Sequence, residues 1–264
     1  MSAGTSWSVE TAADLLLAAE TERRDRGPIT DEWPELDLTT AYTVQRRLIE
    51  KKVEAGETVI GVKLGLTSRA KQERMGISSP LTATLTSGYR LETDEPLPVG
   101  DLIHPRAEPE IVFVMAKQLQ GPGVTAATAL DAVASVHAGL EVIDSRYTDF
   151  RFTLPDVVAD NASSARFVVG GTTRSPHELD LVREACALSV NGAVVDTATG
   201  AAVQGNPAEA LALAANDLAT RGEAIEAGAI VLTGGLTDAV PIGPGDVVAA
   251  EFTSLGRTVL TGAP

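Results

Sequence analysis

Three glutamates mark the place in this chain where a metal ion could be held. Glu108 and Glu110 lie in HPRAEPEIVFV (104–114), which continues into an apolar stretch, and Glu141 follows a helix-like segment. Residues at i and i+2 of a strand share a face, so both carboxylates are predicted to point one way and Pro109 the other. Three carboxylates, completed by water and a chelating substrate, form the octahedron that Mg²⁺ or Mn²⁺ prefers. The spacing alone leaves open a solvated strand edge whose glutamates face water.

A lysine and a polar cluster are the next candidates for chemistry. Lys63 stands in the apolar run VIGVKLGLTS (59–68). It is either an interior charge with a partner or a long side chain that reaches the surface, and in isolation the surface position is favoured. The cluster interrupts two apolar segments and is either a binding loop or a hydrogen-bonded turn; it contains Asp160, Asn161, Ser163 and Ser164.

Other polar residues give weaker signals. Arg146 could fix an anionic group or simply pair with Asp144 or Asp149. His104 precedes Glu108 by four residues, but a site of hard oxygen ligands needs no imidazole, so a packing role is favoured. The single cysteine, Cys186, excludes an intrachain disulfide and is interpreted as a small core residue.

Composition and charge limit the class of partner. The chain has 264 residues, of which 44% are hydrophobic and 22% charged, as in ordinary globular proteins. A formal net charge of −15 argues against a nucleic-acid partner, and it also means that a dianionic substrate needs local cations or a metal ion. The apolar runs are too short to span a membrane and no signal peptide is recognised, so a cytoplasmic location is expected.

The predicted elements that position these residues form an α+β fold. Helices are predicted at 8–25, 39–55, 125–140 and 206–222. Strands are predicted at 59–68, 111–115, 165–171, 186–192, 193–200, 229–235, 246–252 and 258–260. A polar stretch running to Asp101 is predicted to be irregular. Because Pro109 cannot donate to a ladder, the strand that carries the glutamates is predicted to begin at an edge or a mouth.

Five segments, in this order, resemble the hydratase/decarboxylase branch of the fumarylacetoacetase superfamily. They are GVKLGLTSRAKQERMGISSP, LIHPRAEPEIVFV, GLEVIDSRYTDFRF, VADNASSARFVVGG and LTGGLTDAVPIGPGD. The ordered set is specific for the family, whereas any one segment is not. The resemblance implies a roll of mixed β-sheets, with a small N-terminal α/β region at 1–80 and a β-rich metal-binding domain at 81–264. It also implies a homo-oligomer.

The same resemblance assigns roles to individual residues. The family's metal triad falls on Glu108, Glu110 and Glu141, with Mg²⁺ as the implied ion and Mn²⁺ as the alternative. Its active-site lysine falls on Lys63, near the substrate's oxo group. Substrate-binding roles are implied for Asn161, Ser163, Arg146 and Phe150.

Residue 81 favours one activity within this branch. The hydratases usually carry Asp after the proline that follows their MG segment, but here Pro80 is followed by Leu81. The implied activity is therefore decarboxylation of 2-oxo-3-hexenedioate (4-oxalocrotonate) or a close analogue, with Leu81 and Phe150 desolvating the departing carboxylate. The alternatives are hydration of 2-hydroxypenta-2,4-dienoate, hydrolysis of an acylpyruvate, or a non-catalytic scaffold. A complex with a hydratase of the same pathway is a further implied partner.

Overall fold

The computed structural model of the chain describes residues 6–68, 72–73 and 76–264. Five residues of the segment GVKLGLTSRAKQERMGISSP, including the Met of its MG pair, lie outside these ranges. Two N-terminal helices open the fold, α1 (Val9–Glu22) and α2 (Leu38–Glu54). Ser8 caps α1, because its Oγ accepts a hydrogen bond from the backbone N–H of Thr11 at 3.1 Å. The helices share an apolar cluster that extends to Leu81.

Twelve strands follow α2 in the described part of the chain. They are β1 (Val59–Gly65), β2 (Leu81–Thr86), β3 (Arg90–Leu91), β4 (Arg106–Met115), β5 (Val133–Ile143), β6 (Ser164–Val169), β7 (Ala185–Val190), β8 (Ala193–Thr199), β9 (Ile230–Gly235), β10 (Val240–Pro241), β11 (Val247–Phe252) and β12 (Gly256–Thr261). Further helices include α3 (Ala126–Leu130), α4 (Leu154–Ala159) and α5 (Pro207–Thr220).

Two sheets enclose the main core. In the described residues the larger sheet has eight strands, ordered β2-β1-β9-β4-β5-β6-β3 with β10 against β4, and the smaller is β12-β11-β7-β8. The larger sheet is mixed, because β1 runs parallel to β9 and β3 to β6, while its other pairs are antiparallel. The smaller sheet and α5 pack on it through one apolar cluster that includes Ile111, Leu140, Leu211 and Phe252. The predicted α+β fold with a mixed sheet is confirmed.

The helix predicted from Thr125 to Leu140 is wrong beyond its first turns. Helix α3 ends at Leu130, and β5 begins at Val133 and pairs with β4 along its whole length. The spacing of Leu130, Val133 and Leu140 fits a helix. However, a strand covered on both faces loses its alternation and reads as a continuous apolar run, so periodicity alone cannot identify it.

The stretch predicted to be irregular before Asp101 contains a strand. In β2, small and large apolar residues alternate with Thr82, Thr84 and Thr86, and the whole strand pairs with β1. The threonines give the segment a polar appearance, but a β-branched side chain fits a strand well, and Thr82 and Thr86 are buried in this one. This strand carries Leu81 and therefore matters for the site.

Pro109 does not lie at the edge of the sheet. Strand β4 is central, between β5 and β9. The pairing of β4 with β9 shifts register between Glu110 and Val112, and the Pro109 carbonyl accepts from the backbone N–H of Leu236 at 2.9 Å. The missing donor of Pro109 is therefore tolerated at an irregularity of the ladder rather than at an edge.

The N-terminal region and the main sheet are continuous. Strand β1 pairs with β2 on one side and with β9 on the other, so residue 80 lies between two paired strands. The division into 1–80 and 81–264 stays a prediction. Within the described ranges, no helix has the length and apolarity that a membrane crossing requires.

Candidate active site with a metal-binding triad

Antiparallel pairing of β4 and β5 brings the three predicted glutamates together. Glu108 stands directly opposite Glu141 in the register, and Glu110 is two residues further along β4. One carboxylate oxygen from each residue lies within 4.8 Å of the others. Glu141 belongs to a strand, not to a segment after a helix, and this correction explains how it reaches the other two. Glu110 and Glu141 are buried, while Glu108 is partly exposed.

The environment of Glu110 fits a divalent cation. Its Oε2 accepts a hydrogen bond from the backbone N–H of Gly234 at 2.7 Å, while its Oε1 is buried without a hydrogen-bond partner. Burial, and then the neighbouring carboxylates of Glu141 and Glu108, raise the pKa of Glu110 well above its ordinary value. A cation among the three carboxylates would satisfy the orphaned oxygen and relieve the repulsion.

Two glycines at the end of β9 make room for these carboxylates. A Cβ at Gly235 would lie 2.2 Å from Oε2 of Glu108, and Gly234 has a φ of +114° where a side chain would meet Thr67. The sequence shows this pair in LTGGLT, where it is only a weak phosphate-binding signal. The glycines instead border the triad, and nothing in the sequence pattern separates the two roles.

Lys63 is an interior charge paired with the triad. Its Nζ lies 3.0 Å from Oε1 and 3.2 Å from Oε2 of Glu141, and its side chain is 4% exposed. The surface position favoured for an isolated lysine is therefore wrong. Strand β1 is an inner strand, paired with β2 and β9, and Lys63 lies in its buried part. An ammonium in this position can hold a negative charge or exchange a proton with a substrate beside Glu141.

A cavity of about 270 Å³ opens beside the triad. Five of the predicted site residues line it: Lys63, Leu81, Glu108, Phe150 and Ser163. Phe152 and Val157 add further apolar surface. The cavity therefore has a charged end at the lysine and glutamate, and an apolar wall that holds Leu81.

Arg146 and Asn161 use their polar atoms to hold the backbone beside the cavity, and the substrate-binding roles expected for them stay predictions. The buried guanidinium of Arg146 forms an ion pair with Asp160 and donates to the carbonyl oxygens of Asp144 at 2.8 Å and Ser164 at 3.0 Å. The Asn161 amide bonds the backbone of Thr84 through both its oxygen and its nitrogen, each at 2.9 Å. Sequence composition cannot distinguish a polar group that meets the ligand from one that meets the backbone.

These supports hold a strained turn. Asn161, Ala162 and Ser163 have φ values of +48°, +50° and +59°. Each non-glycine residue in this region costs about 1–2 kcal/mol, so the turn persists only because its surroundings fix it. Ser163 Oγ donates to Asp160 Oδ2 at 3.3 Å, and burial raises the pKa of Asp160 to about 6 against the lowering effect of Arg146. The turn presents Ala162 and Ser163 to the cavity.

Comparison with known sequences identifies the family. The profile described as fumarylacetoacetate (FAA) hydrolase C-terminal matches residues 83–261. The chain belongs to the fumarylacetoacetate hydrolase family. Within the family it is 41% identical over 243 residues to a 4-oxalocrotonate decarboxylase of Pseudomonas sp. (strain CF600), covering 92% of each chain. It is also 39% identical over 240 residues to a 2-hydroxyhexa-2,4-dienoate hydratase of Comamonas testosteroni, covering 90% of this chain and 91% of the hydratase.

A solved structure from the same family has nearly the same fold. It is the 4-oxalocrotonate decarboxylase from Pseudomonas putida G7 complexed with magnesium and adipate, which aligns with a TM-score of 0.94 and 39% identity. The alignment covers 96% of this chain and 97% of that one. The resemblance inferred from the five ordered segments is thereby confirmed for the family and for the fold.

Proposed function

We propose that this chain is a Mg²⁺-dependent decarboxylase of 4-oxalocrotonate or a close analogue, with Mn²⁺ as the alternative ion. The observation that carries the proposal is the cavity lined by Lys63, Leu81 and Glu108, the last of which joins Glu110 and Glu141 in a cluster of carboxylates. The similarity to 4-oxalocrotonate decarboxylases supports it, including the one complexed with magnesium and adipate, a six-carbon dicarboxylate.

The reaction breaks the bond between C5 and C6 of 2-oxo-3-hexenedioate. C6 leaves as CO₂, and the electron pair moves through C4 and C3 to the oxo oxygen on C2. That oxygen takes up one proton, which gives the monoanion of 2-hydroxypenta-2,4-dienoate. A divalent cation held by Glu108, Glu110 and Glu141 supplies Lewis-acid stabilisation for the oxyanion that develops at C2.

The remaining roles fall to side chains that line the cavity. Lys63 holds negative charge near the C2 oxygen and supplies the proton that this oxygen takes up. Ser163 binds a substrate carboxylate by turning its hydroxyl proton from Asp160 Oδ2 toward the cavity that it lines. Leu81 and Phe150 keep water from the distal carboxylate, and a carboxylate loses CO₂ more readily where water solvates its charge less.

A hydratase is the second candidate, because hydratases are among the relatives of comparable identity. It would add water to 2-hydroxypenta-2,4-dienoate, and residue 81 distinguishes the two activities. Leu81 is 3% exposed and offers no group to activate water at that wall. Acylpyruvate hydrolysis is less well supported. That reaction needs a positioned general base, and His104 is the histidine nearest the triad in sequence. Its ring packs on Phe150 with centroids 4.8 Å apart, and its Nε2 lies 2.7 Å from the Ser145 carbonyl oxygen.

We further propose that the enzyme is a homo-oligomer that associates with a hydratase acting on its product. The family resemblance supports both assignments, and a cytoplasmic location likewise stays a prediction. Size-exclusion chromatography with light scattering tests the assembly. Co-elution with a 2-hydroxypentadienoate hydratase tests the complex.

The deciding experiment measures CO₂ release from 2-oxo-3-hexenedioate with Mg²⁺ and with chelator, beside water addition to 2-hydroxypenta-2,4-dienoate. Metal-dependent CO₂ release is expected. Water addition without CO₂ release would make the chain a hydratase. Inactivity on both substrates, together with no Mg²⁺ binding by calorimetry, would favour the non-catalytic scaffold.

A further inference from the structure

Arg106 lies at the rim of the active-site cavity. It stands two residues before Glu108 on β4, so its side chain projects from the same face as Glu108 and Glu110. Its cross-strand neighbour in register is Ile143, which lines the cavity. The guanidinium carbon lies 4.3 Å from the ring centre of Phe150, another lining residue. Arg106 is exposed, so it can meet a substrate from solvent.

Phe150 holds this guanidinium in place. The aromatic ring contacts Arg106 and also packs against His104, whose ring centroid is 4.8 Å away. The backbone of Phe150 has a φ of +55°, a strained conformation that persists where the surroundings fix it. A guanidinium lying on an aromatic face still has its N–H groups free at its edge, and their fork matches a carboxylate.

The negative net charge of the protein makes a cation at the position of Arg106 useful for binding an anionic substrate. The formal net charge is −15, so a substrate with two carboxylates approaches against repulsion. The cation in the triad serves the chelating end of the substrate, and Lys63 is buried against Glu141. The step from Glu108 to Arg106 along an extended strand is about 6.6 Å, comparable with the length of a six-carbon dicarboxylate.

We propose that Arg106 is the specificity-determining residue that binds the distal carboxylate of a dianionic substrate at the rim of the cavity. This assignment rests on the proposed function, which it refines to a preference for dicarboxylates. Decarboxylation removes the charge that Arg106 binds, so the contact favours the bound substrate over the transition state. Arg106 therefore lowers KM and does not raise kcat.

Two ligands with the same chelating head isolate this contact. 2-Oxoadipate and 2-oxohexanoate differ only in the distal carboxylate, and binding of each is measured by calorimetry with Ca²⁺ as the metal. The wild type is expected to favour 2-oxoadipate by about tenfold, which corresponds to about 1.4 kcal/mol. Arg106→Gln should reduce this ratio to about twofold or less, and Arg106→Lys should restore part of it. Arg183→Gln, which removes the same charge from an 87% exposed side chain, is the control.

Kinetics give a second readout on 4-oxalocrotonate. Arg106→Gln should raise KM about five- to twentyfold, with kcat unchanged or up to about twofold higher. A KM change of the same size in Arg183→Gln, or an unchanged binding ratio in Arg106→Gln, would overturn the assignment while leaving CO₂ release intact. If the wild type releases no CO₂ but keeps the ratio, the decarboxylase proposal fails and the dicarboxylate site stands.

Discussion

Replacing Gly235 with alanine should damage the metal site and leave the fold intact. The new Cβ would lie 2.2 Å from Oε2 and 2.6 Å from Cδ of Glu108, whereas ordinary contact begins at 3.4 Å. The carboxylate must therefore retreat by about 1 Å, several times the roughly 0.2 Å within which metal–ligand distances are held. The displaced group is the end of a flexible side chain, so the free energy of unfolding without metal should change by less than about 1 kcal/mol.

The expected loss in Gly235→Ala is about 10- to 100-fold in Mg²⁺ affinity, or about 1.4 to 2.8 kcal/mol. A misplacement of about 1 Å also costs about 100-fold in rate, so kcat/KM should fall by at least that factor. Titration calorimetry gives the affinity and urea denaturation with chelator gives the stability. Gly171→Ala is the matched control, because nothing lies within 4 Å of its added Cβ. Wild-type Mg²⁺ affinity in Gly235→Ala would refute Glu108 as a ligand in this geometry.

Three further changes test other parts of the site. Glu110→Gln should raise the metal-free melting temperature, because it removes a carboxyl whose pKa is raised by burial and by Glu141 and Glu108 and which therefore destabilises the folded state. It should also abolish the rise that Mg²⁺ produces in thermal scans, and a persisting rise would contradict the triad. Leu81→Asp should lower kcat for CO₂ release by at least about tenfold, because a carboxylate then faces the departing one, while Leu81→Asn should lose less; equal rates in both would remove charge as the cause. Asp160→Asn should remove a pH dependence of the free energy of unfolding. The pKa of Asp160 is raised from 3.8 to about 6, so between these pH values the folded protein keeps a proton that the unfolded chain releases. The free energy of unfolding of the wild type therefore falls as pH rises through that window. Urea denaturation between pH 4 and 7 with chelator measures this slope, and parallel profiles for variant and wild type would contradict it.

Local chemistry predicted much of the fold from the sequence. Asn206 caps helix α5 and Pro207 begins it, and Asn191-Gly192 forms the turn between β7 and β8, which are sequence signals for a helix start and a hairpin. These signals succeed because a cap or a tight turn is decided by a few adjacent residues. Strand β5 was mistaken for a helix because it is covered on both faces, and its burial depends on partners that are distant in the chain.

The candidate site shows the same division. The i, i+2 rule predicted that Glu108 and Glu110 share a face, and only the register of β4 and β5 brings Glu141 to them. The substrate-binding roles of Arg146 and Asn161 are expected from the family resemblance. In the structure Arg146 pairs with Asp160 and donates to backbone carbonyls, while Asn161 bonds the backbone of Thr84, and a sequence does not display these contacts.

The triad also connects the site to the centre of the sheet. Its ligands come from the neighbouring strands β4 and β5, and Glu110 bonds Gly234 at the end of β9. A cation bound by these side chains therefore links three adjacent strands. It stabilises the native state by an amount that grows with the concentration of free cation. The sheet should open least where it is metallated, so amide exchange in these strands would slow as divalent cation is added. Cation supply then governs how long this enzyme survives proteolysis as well as how fast it turns over.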